Sequence, residues 1–158
     1  MNLAANGSGT AEMLEQLLTA LEYPDLSHVH ILGGANDAWL DYDHEYSRYH
    51  IEQMIQVCAA RDIKPVLGLP TPVCTGADHS FFAFRPQSIA IWMDRHRAWL
   101  KEYAQAQAIP LIDYFTPLCL AGTETGDPRY FTDEVHLNRE GNRQMALVAL
   151  EGLRQIGV

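Results

Sequence analysis

The amino-acid sequence predicts an α/β protein, a three-layer α/β/α sandwich in which helices cover both faces of a parallel sheet. Short apolar segments closed by glycine or proline alternate with longer segments whose apolar residues recur every three or four positions. Two of the short segments are apolar throughout, which is typical of parallel strands buried on both faces. The chain has 158 residues and no repeat or low-complexity tract, so a single domain over residues 1–158 is expected.

Three segments have the length and composition of buried strands. They cover residues 28–32, 63–69 and 108–112, are rich in isoleucine, valine and leucine, and are followed by turn residues. Residues 1–5, ahead of Asn6 and Gly7, are a candidate for a further strand. Parallel strands joined by crossovers present their carboxyl ends at one edge, where ligands of such sheets bind.

Four segments carry a helical stripe of apolar residues. They begin after Thr10, near His44, near Ile89 and after Asn138. The side-chain oxygens of Thr10 and Asn138 suit the cap position of the first and last helix. The order of strands and helices therefore supports the sandwich.

Composition excludes several classes of function. Twenty acidic and eleven basic side chains give a net charge of −9, which argues against nucleic acid or an anionic membrane as partner. No apolar run reaches the length of a membrane-spanning helix, and the first ten residues do not resemble a secretory signal. Three cysteines without a CxxC pair predict neither a disulfide framework nor a zinc site. A cytoplasmic protein is expected.

Polar motifs lie beside the predicted strand ends and before the last helix. An aspartate and a histidine three apart, Asp133 and His136, can place a carboxylate against Nδ1 and leave Nε2 as a general base. The Asn36 amide and the Gly7 backbone N–H are donors suited to an anionic oxygen. Each motif alone is also typical of a turn or a helix cap. Together they predict an acyl-transfer site whose nucleophile is not visible.

In order and spacing these motifs resemble blocks II, III and V of the SGNH hydrolases, also called the GDSL family of lipases and esterases. Residues 1–17, a strand, an Asn-Gly turn and a helix, are similar to block II. Block III, Gly-x-Asn-Asp, matches residues 34–37, and block V matches Asp133, His136 and Gly141. The 29-residue interval from Gly7 to Asn36 and the proline-rich segment 69–72 are also similar to the family. The resemblance covers nearly the whole chain.

The resemblance implies a flavodoxin-like sandwich and an ester hydrolase of the acyl-enzyme type. His136 would be the general base, Asp133 its orienting partner, and Gly7 and Asn36 the oxyanion donors. The substrate would be a small-molecule, lipid or carbohydrate ester. No metal or cofactor is implied, and His28 and His30, which share a strand face, are interpreted as packing or surface residues rather than metal ligands.

The chain departs from the family in block I, the Gly-Asp-Ser segment that carries the nucleophile. Of five serines, only Ser8, beside Gly7, follows a strand at the active edge; it could replace the nucleophile, cap the first helix or line the site. The family's strand order, 2-1-3-4-5, places the absent strand between segments 1–5 and 28–32. We therefore expect a polypeptide truncated at its amino end and lacking the first strand–helix unit, or else an edge-paired or swapped homo-oligomer.

Two further alternatives stay open at this stage. In the first, the chain lacks the serine and is a non-catalytic binding or assembly module. In the second, residues 7–10 hold a phosphate or nucleotide, but this interpretation leaves Asp133 and His136 without a role.

The connection from Pro70 to Arg85 is long for a compact domain. Its aromatic residues either line the site as an apolar wall for an acyl group or pack the connection onto the core; they are Phe81, Phe82 and Phe84.

Overall fold

The computed structural model describes residues 1–23, 25–75 and 86–158, and for 86 and 87 the backbone alone. It is an α/β protein with a parallel sheet flanked by helices. In chain order the elements are α1 (Thr10–Ala20), β1 (His28–Ile31), α2 (Ala35–Trp39), α3 (His44–Ala59), β2 (Lys64–Leu69), α4 (Pro86–Ala106), β3 (Leu111–Asp113) and α5 (Arg139–Gln155). Short 3₁₀ turns cover Thr116–Leu118 and Pro128–Tyr130.

The three described strands pair in parallel in the order β1-β2-β3. The central strand alternates between two buried layers, as its apolar sequence predicts. Leu67 and Leu69 face α1, α3 and α4, whereas Val66 faces α5 together with Ile112 of β3. Helices therefore cover both faces of the sheet, and the predicted three-layer sandwich is confirmed.

The amino-terminal segment differs from its prediction. Residues 1–5 form no strand and are exposed, with Leu3 41% accessible to solvent. A strand needs a partner for its backbone groups, and the outer edge of β1 pairs with no other described strand. The prediction of a strand over residues 1–5 was therefore wrong.

One other local prediction is corrected. Gly9, not Thr10, is the N-cap of α1, and its N–H donates to the carboxylate of Glu12 at 3.0 Å. Helix α2 begins directly after Gly34, so the Gly-x-Asn-Asp motif lies at its amino end. Asn138 caps α5 as predicted, accepting from the N–H groups of Glu140 and Gly141.

Among the described residues, none of the helices is both long and apolar enough to cross a membrane. The aromatic residues proposed as an apolar wall lie outside the described residues. They are Phe81, Phe82 and Phe84.

Candidate functional site

Asp133 and His136 are joined by a hydrogen bond, as their spacing predicts. The Asp133 carboxylate lies 2.8 Å from His136 Nδ1 and accepts the backbone N–H groups of Val135 and His136 at 2.9 and 2.8 Å. Partial burial raises the pKa of this carboxyl, but the donors on His136 and Val135 outweigh it and hold the pKa below its usual value. A ring that donates from Nδ1 carries its acceptor lone pair on Nε2, which suits a general base.

The turn that carries this pair is fixed at the carboxyl edge of the sheet. Beyond β2, the N–H of Cys74 donates to the carbonyl of Glu134 at 2.7 Å. Val135 packs on an apolar cluster that includes Ala38 of α2 and Val73. The acid–base pair is thereby placed beside the helix that bears Asn36.

Asn36 contacts the Gly7 turn directly. Its Nδ2 donates to the carbonyl of Ser8 at 2.8 Å, across 28 residues of sequence. Gly7 is exposed and has a φ of +79°, a conformation that favours glycine. The structure thus brings together the two motifs from which the sequence predicts oxyanion donors.

A buried carboxylate that the sequence analysis did not single out stands next to Asn36. Asp37 is fully buried and accepts from the N–H and the hydroxyl of Thr10 at 3.0 and 2.7 Å and from the Ser47 hydroxyl at 2.6 Å. These bonds join α1, α2 and α3 around one side chain. The adjacent polar pair Asn36-Asp37 was visible in the sequence, but its partners are 27 and 10 residues away.

A buried histidine pair packs beneath the Gly33-Gly34 segment. The sequence did not identify it as a pair. His96 is fully buried on α4, and its Nδ1 lies 3.3 Å from His44 Nε2. Burial lowers the pKa of His96 to about 3, so the ring is neutral at ordinary pH. Gly34 has a φ of +105°, and a Cβ there would lie 2.5 Å from His96 Nε2. The available signal was the position of His96 within the apolar stripe of α4.

The four described serines occupy different environments. Ser47 is buried against Asp37, and Ser27 precedes β1 at the amino edge of the sheet. Ser8 does not cap α1; its hydroxyl accepts from Gln16 Nε2 at 3.1 Å. Ser88 lies on α4, and Ser80 falls outside the described residues.

His28 and His30 show no geometry of a metal centre. His28 Nδ1 lies 3.0 Å from the Ser27 hydroxyl and His30 Nε2 lies 3.4 Å from the Tyr114 hydroxyl. In the part of the chain that the structure describes, no three or more His, Cys, Asp or Glu side chains cluster as metal ligands. The His30 ring also packs edge-on against the Tyr114 ring, with 5.6 Å between the ring centroids.

An open cleft of about 550 Å³ lies at the opposite edge of the sheet. Its lining comes from the amino ends of the strands and includes His28, Asp62, Lys64 and Pro110. None of the residues of the candidate site lines it. Ligands of open parallel sheets bind at the carboxyl edge, so we do not assign this cleft to the chemistry.

Solved structures share the fold of this chain at low sequence identity. A GDSL-like lipase from Bacteroides thetaiotaomicron aligns with a TM-score of 0.81 at 22% identity, over 95% of this chain and 73% of that chain. A member of the lipolytic G-D-S-L family from Veillonella parvula gives 0.71 at 24% identity, over 92% and 74%. The aryl esterase of M. smegmatis gives 0.69 at 15% identity, over 92% and 67%.

Sequence comparison agrees with this fold. No functionally curated protein matches the chain significantly. The model of one family, described as GDSL-like lipase/acylhydrolase, matches residues 1–144. That match spans the Gly7 turn, the Asn36 helix and the Asp133–His136 turn, and the chain belongs to the GDSL-like lipase/acylhydrolase family.

Proposed function

We propose that this hydrolase cleaves carboxylic esters through a serine acyl-enzyme, with His136 as general base and Asp133 as its orienting partner. The observation that carries the proposal is the 2.8 Å bond between His136 Nδ1 and a carboxylate already held by two backbone N–H groups. A carboxylate fixed in this way holds the ring in one tautomer and stabilises the imidazolium that forms during reaction.

The proposed reaction has two steps, formation of the acyl-enzyme and its hydrolysis. In the first, His136 Nε2 takes the serine proton, the serine oxygen bonds to the ester carbonyl carbon, and the leaving alcohol departs with that proton. In the second, water loses a proton to His136, attacks the acyl carbon and releases the acid, and the serine oxygen regains its proton. The Gly7 N–H and the Asn36 amide would stabilise the negative oxygen in each step.

The nucleophile is the part of this proposal that the described residues do not supply. None of the described serines is assigned the role. Ser47 is buried, Ser27 lies at the amino edge, Ser8 is held by Gln16, and Ser88 lies on α4. We expect a serine at the end of a strand that pairs with the outer edge of β1. The gene can test this directly, since codons upstream of Met1 either encode such a strand followed by Gly-Asp-Ser or do not.

Hydrolysis of p-nitrophenyl esters tests the function. The 158-residue chain is expected to show negligible turnover. A polypeptide begun about 30–40 codons upstream, the length of one strand–helix unit with its connections, is expected to hydrolyse the ester with a burst of p-nitrophenol. A folded extended polypeptide without turnover would favour the alternative, a non-catalytic binding or assembly module.

The substrate class is proposed more broadly. Similar structures carry the names lipase, aryl esterase and acetyl xylan esterase, so lipid, aryl and carbohydrate esters are all candidates. The net charge of −9 disfavours polyanionic substrates. Comparing kcat/KM for p-nitrophenyl acetate, butyrate and octanoate with that for an acetylated oligosaccharide separates these classes.

We also propose that the 158-residue chain self-associates. The N–H and C=O groups on the outer edge of β1 have no partner strand among the described residues, and such edges pair with other chains. Light scattering is expected to show a homo-oligomer. A cooperatively melting monomer would contradict this proposal without bearing on the acid–base pair.

A further inference from the structure

Two neighbouring residues of α2 hold the same short stretch of the chain. Asn36 donates from Nδ2 to the carbonyl of Ser8, and Asp37 accepts the N–H and hydroxyl of Thr10. The segment between them, Gly9, approaches so closely that a Cβ there would lie 2.5 Å from Asp37 Oδ1. Residues 8–10 are therefore fixed against α2 from both sides.

The hydrogen bond from Asn36 also sets the direction of a second donor. A carboxamide is planar and carries two N–H bonds on one nitrogen. When one of them is directed at the Ser8 carbonyl, the direction of the other is determined. Any movement of Ser8 relative to α2 would turn both N–H bonds together.

Asp37 is placed to prevent that movement. Its carboxylate is fully buried, and a third donor, the Ser47 hydroxyl of α3, bonds at 2.6 Å to the oxygen that also accepts the Thr10 hydroxyl. The Thr10 N–H belongs to the first turn of α1, directly after the Gly7–Ser8 turn. A carboxylate is the side chain that accepts all three donors at once, because it has only acceptor sites.

We infer that Asp37 is a positioning residue: it holds Thr10, and through it the Gly7–Ser8 turn, so that the Asn36 amide and the Gly7 N–H face the same reacting oxygen. The inference rests on the proposed function for the meaning of that geometry. Asp37 itself does not touch the substrate. Its effect on turnover is exerted through the direction of the two donors.

The test uses NMR on the 158-residue chain, which requires no turnover. In Asp37→Ala, the Asn36 side-chain amide signals are expected to move, and the Thr10 amide is expected to exchange about tenfold faster or more. Gly9→Ala is a second variant: its φ of −81° suits alanine, and its Cβ would lie 2.5 Å from Asp37 Oδ1 and 3.1 Å from Glu12 Oε2, so these two carboxylates must shift. It should move the same signals in a chain that stays folded.

Matched variants separate positioning from general stability. Asp43→Asn alters an exposed carboxylate that caps α3 by accepting the Glu45 N–H at 3.0 Å, and it should leave the Asn36 signals in place. Thr10→Ser keeps both donors to Asp37 and should behave like the parent chain, whereas Thr10→Val removes the hydroxyl and should not. Unmoved Asn36 and Gly7 signals in Gly9→Ala and in Asp37→Ala would overturn the inference.

Steady-state kinetics of a variant test whether this geometry affects the reaction. In the extended polypeptide, Asp37→Asn is expected to lower kcat by about tenfold or more with KM changed much less, because the donors act on charge that develops in the transition state. If the parent polypeptide has no turnover, the proposed function fails while the NMR result stands. If the parent turns over and kcat is unchanged in Asp37→Asn, the positioning role fails alone.

Discussion

The two halves of the candidate site are held together in opposite ways. In the half that carries the acid–base pair, each hydrogen bond of Asp133 spans two or three residues, and the His136 side chain is 60% exposed. In the half that carries the donors, Asn36 and Asp37 reach partners 28 and 27 residues away, and Asp37 is fully buried. A local turn makes the first half, whereas packing of three helices makes the second. Substitutions in the first half should therefore change activity, whereas substitutions in the second half should change the free energy of unfolding.

The largest effect is expected in the exposed half, which carries the acid–base pair. It should be an effect on activity alone. In the extended polypeptide, His136→Ala removes the proton acceptor and should lower kcat by about 10⁴-fold or more. Because the ring is mostly exposed, the free energy of unfolding should change by no more than about 0.5 kcal/mol. His28→Ala, at the opposite edge, is the matched control. A variant that keeps its turnover would remove His136 from the mechanism.

Substitutions in the buried half, which carries the donors, should mainly lower the free energy of unfolding. Gly34→Ala forces a φ of +105° on alanine and drives its Cβ into the His96 ring, so a loss of about 2–4 kcal/mol is expected. Gly122→Ala is the control, since Gly122 has a φ of +76° but open space around it and reports backbone strain alone. Urea denaturation measures both variants. Equal losses would mean that the contact with His96 contributes nothing.

The same contrast explains what the sequence could predict. The Asp133–His136 pair was predictable because spacing alone brings the two side chains together within one turn. Asn36 was identified by its motif, but its bond to Ser8 and the role of Asp37 depend on how α1 packs on α2 and α3. A strand over residues 1–5 was predicted wrongly, since a strand forms only where another strand pairs with it, and a single segment does not reveal its neighbour.

A smaller effect is expected from pH, and between pH 6.5 and pH 5 it should come from the buried histidines. The pKa of His96 is lowered to about 3 in the folded chain, whereas in the unfolded chain it is near 6.5. Between these values the unfolded state binds one more proton, so the free energy of unfolding falls as pH decreases below 6.5. From pH 6.5 to pH 5 the loss is about 1.5–2 kcal/mol for this group. His44, whose pKa is also lowered by burial, acts in the same direction.

Urea denaturation at pH 7 and pH 5 measures this dependence. His96→Phe fills a similar volume and does not titrate, so its stability should vary less between the two pH values than that of the parent chain. Parallel pH profiles for the parent chain and His96→Phe would show that the buried histidine pair does not control the pH dependence of stability.

The smallest effect is expected at Ser8, which contacts Asn36 in the half that carries the donors. Its carbonyl, not its hydroxyl, receives the Asn36 amide, and the hydroxyl accepts only from Gln16 among the described residues. Ser8→Ala therefore leaves the Asn36 contact in place. We expect a change in kcat/KM of less than about threefold in the extended polypeptide and about 0.5 kcal/mol or less in stability. Gln16→Ala, which removes the same hydrogen bond from the other side, should match it. If Ser8→Ala instead abolished both turnover and the burst while Gln16→Ala did not, Ser8 would be the nucleophile, and the Gly7 turn would carry both the attacking oxygen and a donor.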